Sequence, residues 1–363
     1  MKHVFAVFAV ALLLATPARA DITWAVAGPY TGSVASWGLS QQAGIKQAVA
    51  DINAKGGISG QKIMLKIYDD ACDPKQAVAV ANRIISEGIH TVLQGSCSAS
   101  ALAAEPTYID EGTLVMNTLP TNPKITDNGG PTVFRAVYRD DVAGVVAADE
   151  IIKNFSHEKL VILHDRSAYG QGVAEYVRDA LHKNGVKEML FEAYDPNNHD
   201  YSVLVTRLKS MGTEVIFFGG YPVEIGMITR QLREAGSKAQ LIAGDLAEPD
   251  FWKIAGDKGE GALFTSPQDP RKLPGSKEVW ERLQKSGTVV DNYALYAYAA
   301  AQVLGQAMVQ VGGDDPKKVA EVIHKGKFDT ILGNFTFDAK GDVQNIHQVM
   351  FRWHDGNYME AGQ

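Results

Sequence analysis

Three serines and a cysteine crowd the segment Ser96-Cys97-Ser98-Ala99-Ser100. It follows an apolar strand signal ending at Leu93 and precedes a run with helical spacing. A helix starting there offers spare backbone N–H donors and the positive end of its dipole. A ligand carboxylate fits such a helix start without an Arg or Lys, and a hydroxyl such as Ser98 adds one directed bond. The competing role is plain capping, with one of the three serines accepting from the first turn. Nucleophilic catalysis is the weaker reading, because the chain has no G-x-S-x-G segment and no sequence cue for a partnered base.

Other polar residues fall at the ends of further strand signals. Thr118-Leu119-Pro120-Thr121 follows the fourth strand, while Tyr169, Tyr221 and Asp245 follow three later ones. A tyrosine suits a cleft because it joins apolar area to one hydroxyl. Asp245 is either a turn residue or a partner for a ligand ammonium. Trp37, near a helix start, is either core or a cleft wall. Hydroxyls and a helix end in one half, tyrosines and one carboxylate in the other, make a complementary seat for a zwitterion with a neutral side chain.

Two clusters invite readings that their spacing does not support. Asp69-Asp70-Ala71-Cys72-Asp73 lacks the glycine and terminal Glu of an EF-hand and has no His close by, so no metal site is expected. Asp73 before Pro74 fits a helix N-cap. Gly28-Pro29-Tyr30-Thr31-Gly32 matches neither GxGxxG nor GxxxxGK[ST], so a bound nucleotide phosphate is not expected. No catalytic residue and no cofactor is expected.

The elements that must position these residues alternate along the chain. Apolar runs near 22–28, 63–68, 90–93 and 113–116 read as strands, and helical spacing fills 36–54, 74–87 and 99–111. A second cycle places helices at 140–155, 169–184, 201–210 and 224–235, and strands at 160–163, 187–194, 215–218 and 241–243. The last third holds a strand at 261–265, helices at 276–287, 292–309 and 316–324, a strand at 332–336, a turn at 337–342 and a strand at 349–353. Serial βα repetition predicts an α/β fold of mostly parallel sheets covered by helices. Two lobes that trade chain segments around a central cleft are expected, with ligand at the carboxyl ends of the strands.

The start of the chain carries an export signature. Lys2, the apolar stretch 4–15 and Ala18-Arg19-Ala20 read as a signal peptide over 1–20, cut before Asp21. The stretch is too short for a membrane span, which needs about 20 apolar residues. The expected product is soluble and extracytoplasmic. It has 33 Lys and Arg against 42 Asp and Glu, a formal charge of −9, once Lys2 and Arg19 are removed. That acidity argues against a nucleic-acid partner. The chain has only two cysteines, Cys72 and Cys97, and in an exported protein they predict one disulfide.

The segment AVADINAKGGISGQKIMLKIYDDACDPKQAVAVANRIISEGI, residues 48–89, closely resembles the periplasmic leucine/isoleucine/valine-binding proteins of ABC transporters. HDRSAYGQG, GGYPVEIGMITRQLREAG and FTFDAKGD resemble them too, and the likeness spans residues 21–356. The resemblance implies a type I periplasmic binding protein fold: two Rossmann-like lobes joined by three crossovers. It implies one lobe from 21–139 with 269–347 and a second from 140–268 with 348–363. Cys72 and Cys97 match the family's disulfide pair.

Roles carry over position by position. Ser98 matches the serine that holds the ligand carboxylate, and Thr121 the threonine that helps hold the amino acid backbone. Leu119 matches a position whose carbonyl meets the ammonium. Tyr169 and Tyr221 match tyrosines that close over the ligand, Trp37 an aromatic that packs on it, and Ser96 a pocket-lining leucine. Asp245 stands where the branched-chain binder has a glutamate, one methylene longer. Ser96 and Leu119-Pro120 also depart from that pattern. The implied function is capture of a branched-chain or other neutral amino acid by a monomer that delivers it to an inner-membrane ABC permease. The departures keep γ-aminobutyrate, an amide or an aromatic acid open as ligands. A ligand-presenting sensor is the alternative of another class, and an exported hydrolase a third.

Overall fold

A parallel β–α repeat needs a helical crossover after each strand, and the crossovers cover both faces of the sheet. The computed structural model of the protein describes residues 20–285, 287 and 290–362. Apart from Ala20, the expected signal peptide lies outside the described residues. The first cycle is β1 (Ile22–Gly28), α1 (Ala35–Ala54), β2 (Ile63–Asp69), α2 (Pro74–Ser86), β3 (Thr91–Gln94), α3 (Ser98–Asp110), β4 (Leu114–Asn117), α4 (Lys124–Asn128) and β5 (Val133–Arg135). The second is α5 (Asp140–Phe155), β6 (Leu160–His164), α6 (Gly170–Lys183), β7 (Leu190–Ala193), α7 (Ser202–Ser210), β8 (Val215–Gly219), α8 (Pro222–Glu234), β9 (Gln240–Ala243), α9 (Pro249–Ala255) and β10 (Leu263–Pro267). The chain ends with α10 (Lys277–Lys285), α11 (Asn292–Val311), α12 (Pro316–Lys325), β11 (Phe328–Thr330), β12 (Gly333–Phe335), β13 (Gln348–His354) and β14 (Asn357–Glu360).

The first sheet runs β2-β1-β3-β4-β5, with every pair parallel. The second runs β14-β13-β10-β9-β8-β6-β7. Its segment β7-β6-β8-β9-β10 is parallel and repeats the strand order of the first sheet. β13 and β14 extend its edge antiparallel, and β11 pairs with β12 as a separate hairpin. In both sheets the order reverses between the first and third strands of the cycle, β1/β3 and β6/β8. Helices leave such a point on opposite faces, and a crevice opens beyond the strand ends.

Alternating side chains of each strand feed two cores. On one face of the first sheet, Trp24 and Val26 pack with Ile45, Leu295 and Leu304 of α1 and α11. On the other, Ala25 and Val92 pack with Ala81, Ile84 and Tyr108 of α2 and α3. The second sheet is layered likewise: Leu163 and Phe218 meet Leu208 and Ile228, while Ile162 and Phe217 meet Ala148 and Val177. At Gly44 an added Cβ would lie 2.0 Å from the Ala294 carbonyl oxygen, so α1 and α11 touch through backbone.

The two lobes trade segments. Val279, Val319 and Phe328, from late in the chain, join the core of the first sheet. Phe351 and Trp353 of β13 return to the second. The short elements α4, β5, α9, β11 and β14, absent from the sequence reading, are only three to seven residues long. That is too few for periodicity to register. No described helix is long and apolar enough to cross a membrane.

Candidate functional site

A narrow cavity of about 20 Å3 lies where the carboxyl ends of the two sheets face each other. Seven of the eight expected binding residues line it: Trp37, Ser98, Leu119 and Thr121 from the first lobe, and Tyr169, Tyr221 and Asp245 from the second. Ser96 is the exception. Its buried hydroxyl donates to a carboxylate oxygen of Asp70, and it is not among the lining residues. Asp70 is itself buried, and burial pushes its carboxyl above the usual range, so a directed donor there offsets part of a large desolvation cost.

The first-lobe wall is held from behind. Cys72 and Cys97 form a disulfide with Cα atoms 5.3 Å apart. The acidic run beside Cys72 makes local bonds: Asp69 accepts from the backbone N–H of Tyr30 (2.8 Å) and Ala71 (2.9 Å), and Asp73 caps α2 by accepting from Gln76 N–H (2.8 Å). The expected serine cap on α3 is not present. Cys97 occupies the N-cap position and no side chain caps the helix. Two of the three hydroxyls are engaged otherwise, Ser96 with Asp70 and Ser98 as acceptor from Asn122 N–H at 3.3 Å, while the Ser100 hydroxyl is buried without a partner among the described residues. The start of α3 therefore keeps its N–H groups for the cavity side.

The neighbouring loop is clamped by a buried cation. Arg135, fully buried, donates from Nη1 to the carbonyls of Thr121 (2.9 Å) and Asn122 (2.8 Å), and its Nη2 pairs with Asp342 at 2.6 Å. The clamp ties Leu119–Thr121 to the turn at 337–342 and leaves the Thr121 side chain at the cavity.

In the second lobe, tyrosines stand at helix starts. Tyr169 and Tyr221 occupy the N-cap positions of α6 and α8. The start of α6 sits tightly against the end of β8, since a Cβ on Gly219 would lie 1.9 Å from the Gly170 carbonyl oxygen. Asp245 follows β9. Its N–H donates to the Tyr169 hydroxyl at 3.0 Å, and its Oδ1 accepts from Ala247 N–H at 2.8 Å. Its Oδ2 accepts from the hydroxyls of Tyr293 (2.8 Å) and Tyr138 (3.0 Å). Burial raises the Asp245 carboxyl pKa, and the bonds from Ala247, Tyr293 and Tyr138 oppose that rise. The ring of Trp37 lies 5.7 Å from that of Tyr221 and 5.9 Å from that of Tyr293, so Trp37 is a cavity wall.

Tyr138 and Tyr293 were not foreseen as lining residues. Tyr293 lies in a helix whose sequence is rich in Tyr and Ala, a pattern that reads as core. Tyr138 precedes α5 and has no motif around it. Asp140, two residues after Tyr138, is fully buried, and burial pushes it up to about 7 against the opposing influence of the Thr121 hydroxyl. The polar contacts of the site cross between lobes. Tyr293, at the start of α11 just before residues that enter the first core, bonds Asp245, which follows β9 of the second sheet. Asn122 Nδ2 donates to the Ala168 carbonyl at 2.7 Å, and Ser36 to Asp250 at 3.3 Å.

A two-lobed α/β fold with a polar and aromatic cavity between the sheet ends defines a solute-binding protein. Residues 21–356 match the family described as periplasmic binding protein, and the chain belongs to that family in its type I form, close to the Leu/Ile/Val-binding proteins. It is a periplasmic solute-binding component of the ABC-transporter kind, with a small-molecule ligand and a membrane permease as partner, and not an enzyme. It is 40% identical over 352 residues to an "amino acid binding protein" of Pseudomonas aeruginosa, covering 95% of this chain and 94% of that one. It is 36% identical to a "leucine-, isoleucine-, valine-, threonine-, and alanine-binding protein" of the same organism, covering 98% and 96%. Among solved structures, a leucine-binding protein of Thermotoga maritima superposes with a TM-score of 0.85 at 24% identity, covering 94% and 98%, a likeness of fold.

Proposed function

We propose that this protein captures a small neutral amino acid, branched-chain members included, in the cleft between its lobes and closes over it for delivery to an inner-membrane permease. One observation carries the reading. The uncapped start of α3, with Ser98, faces the same cavity as Asp245, the single ionisable carboxyl among its lining residues. A ligand carboxylate on the helix start and an ammonium near Asp245, Thr121 and the Leu119 carbonyl would bridge the lobes and favour the closed form. Trp37, Tyr169 and Tyr221 would pack on the aliphatic part. The names of the relatives support an amino acid as ligand.

Segment exchange between the cores supports lobes of 21–139 with 269–347 and 140–268 with 348–363. Residues 1–20 would be removed on export, into a compartment that sustains the Cys72–Cys97 bond. The protein would act as a monomer without cofactor or nucleic acid.

A second ligand, γ-aminobutyrate, is favoured by one feature. Asp245 is a short acid drawn toward Tyr138 and Tyr293, which suits a wider gap between amine and carboxylate than an α-amino acid has. A thermal-shift panel of the natural amino acids, γ-aminobutyrate and aromatic acids on ligand-stripped protein tests both. Shifts with neutral amino acids are expected. Shifts confined to aromatic acids would defeat the amino acid reading.

A further inference from the structure

Asp245 faces no cation. Among the described residues, no Lys, Arg or His lines the cavity. The groups around Asp245 are tyrosines and acids: Tyr138 from the crossover before α5, Tyr293 and Tyr296 from α11, Tyr169 from the start of α6, Tyr358 from β14, and Glu248 ahead of α9. Burial and a neighbouring acid both disfavour ionisation. A neutral Asp245 would offer an ammonium no charge. Yet two hydroxyl donors converge on one oxygen, Tyr293 at 2.8 Å and Tyr138 at 3.0 Å, with their own oxygens 3.0 Å apart. Donors aimed at a carboxylate stabilise its charged form. Ala247 N–H holds the other oxygen at 2.8 Å, so the carboxylate is fixed in direction as well.

We propose that Tyr138 and Tyr293 are positioning residues that hold Asp245 as an oriented carboxylate for the positive end of the ligand. This rests on the reading of Asp245 as the ammonium partner. Both hydroxyls come from outside the loop that carries Asp245, and Tyr293 comes from α11, whose next residues Ala294 and Leu295 enter the first-lobe core. The counter-charge of the second lobe is thus maintained by groups on the other side of the cleft. Loss of either hydroxyl lets Asp245 protonate at higher pH, so ammonium binding fails earlier on acidification. A purely structural role for the rings would weaken binding equally at every pH.

The test uses Tyr138→Phe, Tyr293→Phe and the double variant, which keep the rings. The probes are L-leucine and γ-aminobutyrate, titrated calorimetrically between pH 5 and 9. The readout is the ratio of affinity at pH 8.5 to that at pH 5.5, in which any uniform loss cancels. Each single variant is expected to raise this ratio at least threefold over wild type, an acid-limb shift of about half a pH unit, and the double variant further. Tyr296→Phe, whose ring joins the same aromatic cluster, should leave the ratio unchanged. An unchanged ratio in the double variant overturns the proposal, as does an equal rise with Tyr296→Phe. If neither probe binds wild type, the amino acid reading fails on its own. The Asp245 carboxyl, followed by carbon NMR and assigned with Asp245→Asn, then decides this proposal: its titration must move to higher pH in the double variant, and no movement overturns it.

Discussion

On the proposed reading, the two walls of the cleft would meet a zwitterion by different physics. The first-lobe wall has no charged side chain toward the cavity and relies on an uncapped helix start, one serine and a stiff backbone. The second-lobe wall relies on a buried carboxylate whose ionisation depends on hydroxyl donors. A helix dipole does not titrate, whereas a carboxylate does. The helix start of the first wall can therefore be indifferent to pH, while Asp245 makes the second wall sensitive to it.

The largest effect should come from removing the rigidity of the first wall. Arg135→Met removes one of the two arginines that pair with buried Asp342, leaving Arg139, and frees the Thr121 loop. Stability should fall by about 3–5 kcal/mol, read as a lower denaturation midpoint. A loss under 1 kcal/mol would show that the clamp is dispensable. Next, the Cys72→Ala/Cys97→Ala pair removes a bond between residues 25 apart. A cost of about 3 kcal/mol is expected in chemical denaturation, with weaker ligand binding from the loosened Ser98 segment.

Asp245→Ala tests the second wall directly, and a loss of at least tenfold in amino acid affinity is expected by calorimetry. In wild type, affinity should be full above the raised Asp245 pKa and decline as pH falls through it, because the protonated acid carries no charge. Asp245→Ala should flatten that decline. The smallest effect should come from Ser98→Ala, which removes one hydroxyl but leaves the helix start in place. A loss of about tenfold or less, with no change in pH dependence, is expected. A pH-dependent loss there would erase the contrast between the walls.

Much of this division was legible in the residues. The alternation of apolar runs announced both sheets, since a strand buried on two faces must be apolar throughout. Strand-end loops pointed to Ser98, Thr121, Tyr169, Tyr221 and Asp245 because parallel sheets place ligands there. Ser96 read like its neighbours, yet the need of buried Asp70 for a donor turned it away. That no serine caps α3 was not legible, because a neighbour with a better claim on the hydroxyl cannot be seen locally.

The order of residues determined which segments become strands and helices, which loops are polar, and which cysteines can pair, because these follow from local periodicity and spacing. Only the tertiary structure decided that Tyr138 and Tyr293, 155 residues apart, meet on one oxygen of Asp245. It likewise decided that Arg135 reaches across 207 residues to Asp342. Such contacts depend on how two sheets with exchanged segments face each other, and no local pattern encodes that distance.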